Sequence, residues 1–86
     1  MEFEFDERKS RYNKAKHGID FTEAQALWDD LKLLEVPLKS DDESRALCVG
    51  RIGERHWSAI ITYRQVRVRI ISVRRSRGQE RELYES

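Results

Sequence analysis

Apolar residues follow two spacings along the chain, and together these predict an α+β fold. Residues 1–5 set Phe3 and Phe5 against Glu2 and Glu4, the every-second-residue pattern of a short half-buried strand. Asp6 then stands where a helix N-cap is wanted, with Phe5 before it as a staple residue. The segment Glu7–His17 is very polar, with Tyr12 and Ala15 its main candidates for burial. Gly18 ends it, and Lys14, Lys16 and His17 place positive charge in the last turn, where the helix dipole favours it. A second helix is expected from Asp20. Glu23 completes a capping-box pair, and Phe21, Ala24, Leu27 and Trp28 recur at helical spacing until Asp29 and Asp30 stop the run.

The remainder reads mostly as strands. Residues 33–38 are apolar enough for one, pushed to a sheet edge by Pro37, and residues 39–44 form a polar, acidic loop. Strands at 45–51 and 56–63 flank a hairpin turn at Gly53, the second with Trp57, Ala59, Ile61 and Tyr63 on one face. After a tight turn at Arg64 and Gln65 comes the strand 66–75. Strict alternation there puts Val66, Val68, Ile70 and Ser72 against the core and Arg67, Arg69, Ile71, Val73 and Arg75 on the opposite face. Ser76 is placed to cap a short last helix carrying Glu80, Leu83 and Tyr84, with Gln79 at the capping-box position. The order β-α-α-β-β-β-β-α predicts an antiparallel sheet of four to five strands with two N-terminal helices and a short C-terminal one. Residues 1–86 form one domain in this reading, without repeats or linkers.

Composition narrows the function classes. No apolar run is as long as a membrane span, and no hydrophobic segment follows a basic start, so the cytoplasm is the expected compartment. A single cysteine, Cys48, excludes an internal disulfide and a cysteine-based zinc site. The net charge of +1 conceals a division: residues 1–43 carry seven basic against twelve acidic side chains, and residues 44–86 ten against four. All ten basic residues of the second half are arginine, a planar fork of donors suited to phosphate or carboxylate. Solvated, salt-bridged surface is the bland account of such arginines, and edge protection accounts well for Arg67 and Arg69. It accounts less well for Arg74, Arg75 and Arg77, where a capped helix start adds its own amides to three guanidiniums and invites an anion.

Candidates for chemistry cluster near that point. Glu80 and Tyr84 are four residues apart on one helix face and could move protons or position a substrate, or could simply pair with Arg77 or Arg81 and cover the sheet. His17, at a helix C-terminus, is either a cap or a general acid. His56 reads as an exposed residue at a strand start, and two histidines far apart give no metal-ligand spacing. Trp57 and Tyr63 could stack bases, but their alternation suits core.

The run Phe3-Glu4-Phe5-Asp6, then Lys9, Asn13, Lys16-His17-Gly18, Phe21 and Ala24, resembles the opening of the BrnT toxins. Arg45, Gly50-Arg51, the stretch from Val68 through Ile70, Ser72 and Val73 to Arg75, Glu80-Arg81 and Tyr84 resemble their second half, with core-type exchanges at Phe5, Trp28 and Val73. The resemblance implies a RelE-like ribonuclease fold and the toxin half of a bacterial type II toxin–antitoxin pair. Its partner would be a BrnA-like ribbon-helix-helix antitoxin, in a heterotetramer that represses its promoter by binding DNA through the antitoxin. The implied reaction needs no metal or other cofactor. The ribose 2′-hydroxyl attacks the adjacent phosphorus, leaving a cyclic phosphate and a free 5′-hydroxyl, which calls for a base, an acid and cations. Arg51, Arg64 and Arg75 are the expected charge stabilisers, Glu80 or His17 the proton carriers and Tyr84 the positioning group. Lys9, Lys16, Arg45, Arg74, Arg77 and Arg81 are expected on the RNA backbone. Two rival classes remain on residues alone: a nucleic-acid-binding module that does not cleave, and a subunit whose arginine face docks an acidic partner.

Overall fold

The computed structural model describes residues 1–39 and 44–86, so most of the acidic loop expected at 39–44 lies outside the described residues. Along the chain come β1 (Glu2–Glu4), α1 (Glu7–His17), a 3₁₀ helix (Glu23–Asp29), β2 (Leu34–Leu38), β3 (Arg45–Ile52), β4 (Arg55–Arg64), β5 (Arg67–Arg75) and α2 (Gly78–Glu85). The five strands form one sheet in the order β1-β5-β4-β3-β2. The α+β class is as expected, but the sheet is mixed rather than antiparallel, because β1 runs parallel to β5 with Phe3 opposite Val68. The course of the chain after β1 gives the reason. Glu4 is level with Arg69, whereas Asn13 in α1 binds Val73, so the chain advances along β5 in the direction of β5 itself.

α1 is fastened by polar groups, not by Tyr12 and Ala15, which are both exposed. Asp6 caps it through Arg8 N at 2.8 Å, and Gly18 closes it at φ 82°, a left-handed turn that suits glycine. Buried Asn13 donates Nδ2 to Ile19 O and Val73 O, both at 2.8 Å, and accepts from Val73 N at 3.2 Å. Since β1 pairs only with Arg67–Arg69, Asn13 stands in for a neighbouring strand farther along the β5 edge. Ser10 Oγ accepts from Phe21 N at 2.9 Å and ties the next segment down.

The expected second α-helix is a 3₁₀ helix, and its start is later than Asp20. The reciprocal bonds of the Asp20–Glu23 pair are nonetheless made, at 2.7 and 2.9 Å. Phe21, Ala24 and Leu27, all buried, are spaced by three, and three residues per turn is the period that keeps such a series on one line. With Ile19 they pack on Ala46, Cys48, Trp57, Ala59, Ile61, Val68, Ile70 and Val73, and Phe3 meets Trp28 edge-on at 5.0 Å. Burial pushes the Cys48 thiol up to about 12. Gly50 leaves little room for a side chain, because a Cβ would come within 2.9 Å of Leu33 Cδ1 and 3.1 Å of Leu27 Cδ2.

A register shift in β5 overturns the expected alternation. Ile60 faces Ser72 but Ile61 faces Ile70, so Ile71 is an extra residue in the ladder. Beyond it the faces exchange: Val68 and Ile70 reach the core before the bulge and Val73 after it. Arg67, Arg69 and Arg74 therefore share the outer face, while Arg75 falls on the core side, over the Trp57 ring at 5.6 Å. Tyr63, expected beside Ile61, is substantially exposed, with its hydroxyl donating to Glu35 at 2.6 Å.

Candidate functional site at the end of the sheet

The end of β3, the start of β4 and the end of β5 meet at one end of the sheet, and α2 packs over them on the face away from the core, where Glu80 meets Ser58 and Arg74. The hairpin turns at Gly53 (φ 63°) and sets Arg51 directly across from His56. One step inward Trp57 faces Arg75, and Ser76 N donates to His56 O at 3.0 Å, leading the chain from β5 into α2.

The start of α2 differs from expectation. Arg77, not Ser76, is the N-cap residue, and Glu80, not Gln79, returns the bond, accepting from Arg77 N at 2.9 Å. The displacement follows from Glu80's other partners. Arg74 grips it with two nitrogens, each at 2.8 Å, and Ser58 Oγ donates to the same carboxylate at 2.8 Å. Ser76 is drawn off to Ser58, Oγ to Oγ at 2.7 Å. The Arg74 guanidinium, helped by Arg77 N and Ser58 and opposed by burial, holds the Glu80 carboxyl at about 2. At neutral pH this group is ionised, surrounded by donors and fixed.

One turn later Tyr84 crosses the exposed end of β3. Its hydroxyl donates to Asp30 Oδ2 at 2.7 Å, and the same oxygen accepts from Arg51 N at 2.8 Å. Asp30 Oδ1 accepts from Lys32 N at 2.9 Å. Burial pushes the Asp30 carboxyl up, but the bonds from Tyr84, Arg51 N and Lys32 N outweigh it and leave it below the usual range. The bond to Asp30, with burial, raises the Tyr84 phenol, so it stays protonated. Against this phenol lies His56, rings edge-to-face at 5.2 Å, with Nε2 at 2.8 Å from Glu85 Oε1. An open cleft of about 1010 Å³ runs beside the group, lined by residues including Asp30, Lys32, Leu33, Arg51, Leu83 and Tyr84.

The structure gathers Arg51, Arg74, Glu80 and Tyr84, with Arg77 and Arg81 exposed on α2. Arg75 is at the same end but on the other face. Arg64 is at the far end of β4, seven residues from Trp57 and so about 23 Å away, 3.9 Å from Glu4. Arg45 also lies there, opposite Thr62. Lys9 and Lys16 are exposed on α1, Lys16 over the Tyr12 ring at 5.8 Å. His17 ends α1 and has no hydrogen-bond, ion-pair or ring partner among the described residues. Three members were missed on sequence: Asp30 passed as a helix stop, Glu85 drew no notice, and His56 passed as an exposed strand start. Only the Arg51–His56 pairing across Gly53 was within reach of the sequence; the contacts to α2 are not local.

The domain is thus a five-stranded mixed sheet whose arginine-rich end frames an imidazole, a phenol and fixed carboxylates. The protein belongs to the BrnT family, ribonuclease toxins of type II toxin–antitoxin systems, whose pattern matches residues 5–80. No curated protein matches the chain. Membership makes RNA its class of substrate and an antitoxin its class of partner. No helix among the described residues is long and apolar enough to cross a membrane.

Proposed function

We propose that the protein is a metal-independent endoribonuclease of RelE-like fold that cleaves RNA in the cytoplasm by 2′-hydroxyl attack and so inhibits translation. The observation that carries this reading is the placement of Arg51, exposed at the lip of the cleft, with its backbone fixed by Asp30 and its strand partner His56 packed on Tyr84. A guanidinium so anchored can meet the equatorial oxygens of a phosphodiester with little reorganisation. In this reading Arg51 stabilises the developing charge, and Tyr84 with Asp30 positions the strand. Glu80 serves as the anchor of Arg74, because donors already occupy its oxygens. Arg75, Arg77 and Arg81 hold the backbone near the cut, and Lys9, Lys16 and His17 on α1 and Arg45 and Arg64 at the far end extend the track. The neutralising partner is a BrnA-like ribbon-helix-helix antitoxin, assembled as a heterotetramer that binds promoter DNA through the antitoxin.

The test is incubation of the purified protein with RNA in EDTA, followed by analysis of the ends. Cyclic phosphate and 5′-hydroxyl ends that disappear on adding the antitoxin are the expected result. Arg51→Ala should slow cleavage on the order of 10²-fold with the fold intact. RNA bound but uncut, or cut only with added divalent metal, refutes the mechanism.

A further inference from the structure

We propose that His56 takes the proton from the attacking ribose hydroxyl and that Glu85 is its positioning residue. The inference rests on the ribonuclease reading above and adds to it the group that moves the proton.

The chain has two histidines. His17 is without a partner among the described residues, whereas His56 is held on several sides. Its backbone is in the β4 ladder opposite Arg51, its ring meets Tyr84 at 5.2 Å, and Nε2 is 2.8 Å from Glu85 Oε1. Only 16% of the side chain is exposed. A carboxylate on one ring nitrogen selects the tautomer that carries its proton there and leaves a lone pair on the other. Nδ1 has no protein partner among the described residues, yet no buried side-chain nitrogen or oxygen among them lacks one. Nδ1 therefore keeps some contact with solvent. The result is an imidazole fixed in orientation, with one basic nitrogen accessible beside a guanidinium.

The neighbouring groups are less suited to the task. Arg74 keeps the Glu80 carboxyl at about 2, the Asp30 carboxyl lies below its usual range, and the Tyr84 phenol is raised by its bond to Asp30. The charged and titratable groups facing the ring are Arg51 from β3 and Tyr84 and Glu85 from α2, with Asp30 behind Tyr84. With RNA across the end of β3 and β4, Nδ1 accepts the 2′-hydroxyl proton as the O2′–P bond forms. The P–O5′ bond breaks, the departing oxygen takes a proton from water, and the imidazolium returns its proton to the resulting hydroxide.

The experiment compares the wild type with His56→Gln, His56→Ala and Glu85→Gln, all checked for folding by thermal melting. Cleavage is followed on a single-stranded RNA oligonucleotide, and binding on the same oligonucleotide with 2′-deoxyribose at the cut. His56→Gln keeps a donor for Glu85 but has no basic nitrogen; it should bind within a few fold of wild type and cleave on the order of 10²-fold more slowly. Added imidazole should restore part of the His56→Ala rate and leave Arg51→Ala unchanged. Glu85→Gln should lower kcat with KM little altered. A folded His56→Gln that cleaves at the wild-type rate overturns the proposal, as does a loss of cleavage explained by lost binding and not rescued by imidazole. Wild-type protein that binds but never cleaves overturns the ribonuclease reading itself, a result separable from these.

Discussion

Glutamine in place of Glu80 keeps the shape of the side chain but turns an oxygen that Arg74 donates to into an amide that also donates. The side chain is 12% exposed and takes bonds from two Arg74 nitrogens, Ser58 Oγ and Arg77 N. Its carboxyl falls from an ordinary 4.5 to about 2, which at about 1.4 kcal/mol per tenfold change gives about 3 kcal/mol favouring the ionised, folded form. The folded value is the lower one, so this stabilisation is complete above the unfolded value of 4.5 and is lost as pH falls toward about 2. Glu80→Gln should therefore cost about 3 kcal/mol near neutral pH, with the gap to wild type about 1.4 kcal/mol smaller at about pH 3.5. Urea unfolding of both proteins across that range measures the gap, and every other carboxylate cancels in the difference. A gap that is constant with pH, or under about 0.5 kcal/mol at neutrality, would refute the anchor.

Asn13→Ala breaks three buried bonds and leaves Val73 N and O unpaired, so a loss of about 3 kcal/mol is expected, with faster hydrogen exchange at the Val73 amide as its local sign. Gly50→Ala forces a methyl against Leu33 and Leu27 and should cost about 1–3 kcal/mol in chemical denaturation. Tyr84→Phe removes one of three donors from Asp30 and should cost about 1 kcal/mol; an unchanged midpoint would show that the hydroxyl bonds equally well to water.

Much of the fold was legible because its local signals are strong: Asp6 and Gly18 bracket α1, Gly53 makes the hairpin, and each later strand carries β-branched residues. What failed was whatever depends on a distant partner. The polarity of α1 concealed that Ser10 and Asn13 are its buried face, since a hydrogen-bonded Asn looks like a surface residue until its partners are known. The direction of β1 depends on a connection through two helices, which no periodicity records. At the candidate site Arg74, Glu80 and Tyr84 were singled out from residue type, and Arg51 through the family resemblance. Their roles could not be separated, because Glu80 differs from an ordinary exposed glutamate only through Arg74 and Ser58, which lie on the sheet beneath it.

The extra residue at Ile71 has an effect on how the protein can change over generations. Arg74 and Arg75 are adjacent in the chain but project to opposite sides of the sheet, one clamped under α2 and one laid on Trp57. Each can be substituted with little consequence for the other. Loss of the extra residue itself would leave this arrangement standing, because a ladder that runs from Ile70 straight to Ser72 alternates regularly and keeps Arg74 under α2 and Arg75 on Trp57. A one-residue deletion in a regular strand would turn every later side chain to the other face, so the bulge gives this strand a place to lose a residue without disturbing the site.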